Sequence, residues 1–154
     1  MNPNAGLDAA IRIIQSAFEA SLGTVEDGAP FVSGTGFLFL NDPAAEARIL
    51  GGRLYLLLSD LAQHTRNLKK NSHASLLIVE KKDDLPIHEK KRLTFQGQVR
   101  RIEDPEVFER LKTKYLEIFP RSEIFFGLPD FHFYELEVSR VHWIGGFGKA
   151  GTWP

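Results

Sequence analysis

The stretch from Leu54 to Glu80 constrains this chain more than any other. An unbroken apolar run over Leu54–Leu58 predicts a strand from Arg53 to Ser59 that is buried on both faces. A polar-faced helix follows from about Asp60 to Lys70, then a second strand from Ser75 to Glu80. Leu61, Thr65 and Leu68 fall at i, i+4 and i+7, so that face of the helix packs inward. Ser59 or Asp60 caps its start, while His64, Arg66 and Asn67 project elsewhere. Exposed amides at a helix start carry partial positive charge, and the planar fork of an Arg suits a phosphate. These residues therefore make a candidate anion site, although an ordinary capped helix with a solvated polar face has the same composition. A phosphorylated cofactor is the first ligand to test.

The remaining pattern reads as strands with inserted helices. Leu7, Ile11, Ile14 and Phe18 recur at helical spacing and predict an amphipathic helix over 7–20. A short strand over 22–26 leads into Asp27-Gly28, a type I′ hairpin signal. The return strand runs from about Ala29 to Leu40 and closes at Asn41-Asp42-Pro43. Lys81 to Lys91 reads as a charged exposed loop, and Arg92 to Ile102 alternates like a strand. Asp104-Pro105 is a helix start, and Val107, Phe108, Leu111, Tyr115 and Leu116 line one side of the helix that follows. Strands over 131–138 and 141–144 precede the flexible loop Gly145–Gly148. The sum is six strands and three helices in one domain spanning 1–154, a mainly β, α+β antiparallel barrel.

Several candidate site residues lie outside the helix. Gly34 and Gly36 sit inside a strand, where glycine costs roughly 0.5–1 kcal/mol relative to Ala. Either a bulge or barrel corner, or close approach of a flat ligand, explains them, with Ser33 and Thr35 placed to bond that ligand's edge. Arg92 is a solvated strand-end charge or a second phosphate donor. Trp143, Phe147 and Trp153, beside the glycine loop, cover a planar cofactor or form a subunit interface. His132 and His142 are candidate axial haem ligands, against the commoner role of a packing or surface histidine. The five histidines have no zinc-site spacing, so no metal site is expected.

With 19 Lys+Arg against 20 Asp+Glu the net charge is -1, which argues against a nucleic-acid or membrane-surface binder. Cysteine is absent, removing thiolate chemistry and disulfides. No secretory signal or membrane-length apolar run is present, so a soluble cytoplasmic protein is expected. There is no dinucleotide fingerprint, Walker loop or Gly-x-Ser-x-Gly elbow.

These residues together resemble the pyridoxamine 5′-phosphate oxidase-like superfamily of FMN-binding split barrels, and within it the haem-utilisation branch. The resemblance rests on Gly23-Thr24-Val25 through Asp27 to Ser33, on Leu56–Ile78 with its Ser-Asp-Leu-Ala-Gln-His-Thr-Arg-Asn-Leu run, on Arg92-Leu93-Thr94 with Gly97, and on Phe133–Glu137 through Gly145–Ala150. It implies a six-stranded split barrel forming a homodimer with FMN at the subunit interface. By that analogy Ser33, Gly34, Thr35 and Gly36 lie along the flavin ring. Ser59, His64, Thr65, Arg66 and Asn67 surround the phosphate with help from Arg92, and Trp143 lies over the pocket. It also implies a flavin-dependent oxidoreductase working on a small-molecule substrate or electron donor. The alternative is a haem-binding or haem-degrading protein on the same barrel. FMN, F420 and haem all stay open as ligand. Two departures from the family pattern stand out: Gln63-His64 replaces an Arg-Lys pair, and Gly151–Pro154 lacks the C-terminal histidine of haem-degrading members.

Overall fold

The computed structural model describes residues 5–42, 51–146 and 148–153. Asp27 and Gly28 both take positive φ, 48° and 81°, as a type I′ turn requires. That turn joins β1 (Glu19–Glu26) to β2 (Ala29–Gly36) in unbroken register from Glu19↔Gly36 to Glu26↔Ala29. The continuous ladder rules out a bulge at Gly34. The chain turns its corner at Phe37 instead, after which β3 (Leu38–Asn41) leaves β1 and pairs with β4 (Gly52–Ser59). The single return strand expected over 29–40 is therefore two.

After α2 (Gln63–Lys70) come β5 (His73–Val79) and β6 (Arg92–Arg101). Next are α3 (Pro105–Ile118), the one-turn α4 (Glu123–Phe126), β7 (Phe131–Ile144) and β8 (Ala150–Trp153). All ladders are antiparallel, in the order β2-β1-β5-β6-β7-β4-β3, with β8 added to β7. The described residues thus hold eight strands and four α-helices rather than six and three. The expected strands over 131–138 and 141–144 are one, carried through a bulge where the register with β6 shifts at Gln96/Gly97. A side chain on Gly97 would collide with the Glu137 carbonyl, so this crossing needs glycine.

The sheet curls around one core. Leu22, Leu56, Leu58, Leu76, Ile78, Leu93, Phe95 and Leu136 fill it. One mouth is plugged by α1 (Ala5–Ser16) through Ala10, Ile13 and Ile14, with Ala17 just beyond the helix end. The helix ends at Ser16 rather than at residue 20, and Phe18 is exposed. Its buried face is Ala10, Ile13 and Ile14, with Ile11 partly buried against the same core. The side chain of Leu7 lies outside the described residues.

A second core lies on the other face of β4 and β7, where Tyr55, Leu57 and Phe133 meet Leu111 and Tyr115 of α3. The double burial expected for 54–58 is present. Asp104 caps α3 by accepting from the Glu106 amide at 2.9 Å, with Pro105 at the first position. No helix among the described residues is long and apolar enough to cross a membrane.

Candidate functional site

The buried side of α2 is polar as well as apolar. Thr65, Asn67 and Leu68 are its buried residues, whereas Leu61 precedes the helix and is 75% exposed. The expected inward face of Leu61, Thr65 and Leu68 is corrected accordingly. Asn67 ties the helix to the barrel by donating to Thr24 Oγ1 at 3.0 Å and accepting from Gln63 Nε2 at 2.8 Å.

Neither Ser59 nor Asp60 caps the helix. Its N-cap is Ala62, with no side-chain bond. Ser59 Oγ accepts from the Leu61 amide at 3.1 Å and donates to Asp130 Oδ2 at 2.6 Å. Asp60 faces Lys69 and His132, each at 3.1 Å. Burial pushes the Asp60 carboxyl up, but Lys69 and His132 outweigh it and hold it below the usual range. Two carboxylates thus stand beside the start of α2.

His64 and Ser33 are brought together, with Oγ and Nδ1 2.8 Å apart across 31 residues of sequence. Burial keeps the His64 imidazole below its usual protonation range, so it is neutral at pH 7. Arg66 is turned along its own helix, donating to the Leu61 carbonyl at 2.9 Å and to Gln63 Oε1 at 2.7 Å. Thr65 Oγ1 is buried without a partner among the described residues. Thr35 Oγ1 bonds the Gly36 carbonyl at 3.0 Å. A Cβ on Gly34 would meet nothing within 4 Å, whereas one on Gly36 would press on Tyr115 Oη at 3.1 Å. Packing within the chain therefore explains Gly36 and leaves Gly34 facing open space.

Two expected site residues stand apart from this group. Arg92 opens β6, three ladders away from β2, with its Nε buried and unpartnered among the described residues. Trp143 is opposite Gly151 on β8, and its indole fills the space that side chains on Gly151, Gly145 and Gly6 would need. It closes the C-terminal hairpin against α1 rather than covering Ser33. Phe147 and the Trp153 side chain lie outside the described residues.

A cavity of about 540 Å³ borders α2 and the β1–β2 turn. Arg66, Lys69 and Lys70 line it together with Glu26 and Asp27, so the signs largely cancel. Asp130 carries no signal in the sequence, and His132 and Gln63 stand out there only as a haem-ligand candidate and as a departure from the family pattern; Asp130 and His132 join this region through partners 71 and 72 residues away.

The chain matches the CREG, beta-barrel family over residues 4–152. It belongs to that family. It is 31% identical over 101 residues to heme oxygenase HutZ of Vibrio cholerae serotype O1, covering 62% of this chain and 56% of that protein. The family member superposes on a heme binding protein from Mycobacterium smegmatis with a TM-score of 0.83 at 27% identity, covering 99% of this chain and 59% of that one. It thus spans a little over half the length of both. A Clostridium acetobutylicum protein of the pyridoxinephosphate oxidase family, related to general stress protein 26, superposes at a TM-score of 0.70 over 96% of this chain and 92% of that one. At 20% identity that likeness shows the fold. The antiparallel barrel expected from the sequence is thus shared with these proteins.

Proposed function

We propose that this CREG-family barrel binds haem and serves haem utilisation, as a homodimer with the ligand at the boundary between copies. The observation that carries this reading is the charge at the start of α2. A flavin phosphate there needs free cations, and the residues present do not fit it. His64 is neutral, Arg66 is held by Leu61 and Gln63, the Ser59 hydroxyl is committed to Asp130, and two carboxylates stand close by. A neutral, half-buried imidazole beside Ser33 is instead the kind of group that takes a metal centre. The named haem proteins among its relatives support the same choice. Haem, if bound, would supply a redox-active iron. The chain's own part is to orient that ligand and exclude water from one face.

The open outer face of β1, β2, β5 and β6 supports the dimer. Val32 is 68% exposed there among Ser21, Gly23 and Gly34, and no helix among the described residues covers it. Titrating the purified protein separately with hemin and with FMN tests the reading. A saturable Soret band with no flavin binding is expected. A rise in melting temperature with FMN alone, and no Soret band, overturns it.

A further inference from the structure

We infer that two copies of this chain interlock across the open sheet face, with Val32 of each seated over Gly34 of the other. This rests on the homodimer proposed above and names the contact that makes it. Side chains alternate between the two faces of a strand, and directly paired residues share a face. Val32 is paired with Gly23 and Gly34 with Ser21, and the second of these rows continues through Leu77 of β5 and Thr94 of β6. All of them point away from the barrel core, whereas Ser33 points inward beside Leu22.

On that face Val32 is a ridge between two troughs. Gly34, two residues on, lines a trough of about 750 Å³ together with the half-buried Leu77 and Val79. Pro30, two residues back, lines one of about 880 Å³ whose other walls include His73, Gln96, Gln98 and Glu137. A valine gains by leaving water for an apolar floor and gains little over amides and a carboxylate, so the Gly34 trough is the one that fits it. The depression exists because position 34 has no side chain, since a Cβ there would meet nothing within 4 Å. Knob and hole lie on one strand, so a two-fold rotation that seats Val32 over the partner's Gly34 makes the reciprocal contact as well. The border of the trough carries Glu19, Glu80 and Asp83 as well as Lys81 and Lys90. Two such borders therefore meet with both signs on each side rather than with one repelling charge.

The test is sedimentation equilibrium of the parent protein, Val32→Ala, Gly34→Val and the double variant, each first checked for folding by far-UV circular dichroism. Gly34 has no positive φ and has open space at its Cβ, so Gly34→Val is accommodated within one copy. Each single variant should weaken the dimer at least tenfold, by removing the knob or by filling the hole. The double variant exchanges knob and hole and should recover most of that loss. The chain has no cysteine, so disulfide trapping gives an independent reading. Such bonds form only where Cα atoms come within about 7 Å, so oxidising a mixture of Val32→Cys and Gly34→Cys should link the two variants to each other and neither to itself. Parent-like affinity in either single variant, a double variant no tighter than Gly34→Val, or self-linking of Val32→Cys overturns the interlock while leaving the dimer intact. A parent that does not self-associate overturns both.

Discussion

The outer surface of this barrel is two surfaces. Over β3, β4 and the first half of β7 it is covered by α3 and α4, and it carries Tyr55, Leu57, Phe133 and a fully buried Glu135. Arg53 and Arg100 hold that carboxylate from the two flanking strands, at 2.7 and 3.2 Å. Over β2, β1, β5 and β6 the same surface carries glycine, serine and glutamine, and no described helix lies on it. The covered side meets all its polar needs internally and is a device for stability. The open side leaves a glycine with no packing reason and an exposed Val32, which are features a second copy can use.

Four changes break or sharpen that contrast. The largest effect belongs to Glu135→Ala, which removes a buried carboxylate and its two charge-assisted bonds, each worth about 1.5–3 kcal/mol, and should show as a loss of that order in a denaturant titration although Arg53 keeps Asp42 and Arg100 keeps Glu137. Leu111→Ala on the covered side should cost about 2–5 kcal/mol by the same measurement. Val32→Lys on the open side should leave monomer stability within about 0.5 kcal/mol yet abolish self-association in sedimentation; an unchanged dimer would place the contact elsewhere. The smallest effect is a pH dependence. Burial lowers His64 below the ordinary histidine value of 6.5, so the unfolded chain takes up the proton first as pH falls. The stability present above that value declines as pH drops through the folded value, and His64→Gln should flatten that part of the curve.

The locally encoded elements were the most legible in sequence. The run Leu54–Leu58, the Asp27-Gly28 turn and the Asp104-Pro105 start each carry their cause within a few residues, and each appears where expected. The errors have causes that lie far along the chain. The end of α1 depends on how the chain enters β1, where Ala17 rather than Phe18 is buried, and the continuity of β7 depends on a bulge that Gly97 of another strand permits. At the candidate site, Ser33, His64 and Asn67 were named from the sequence, but not which side chains they touch. His64 meets a strand 31 residues back, and Ser59 meets Asp130, 71 residues on. Residue types announced polarity; only the fold showed that most of it is already spent within the chain.

The position of β2 at the end of the sheet has one more consequence. An end strand offers its unpaired amides and carbonyls to any passing strand, and proteins guard against such lateral growth. Here Pro30 has no amide to give, and the strand stops at the Gly36 corner, so a long regular extension of the sheet finds poor footing. Association through the flat of the sheet stays open while growth along its rim is discouraged, which favours a closed pair of copies over a fibre.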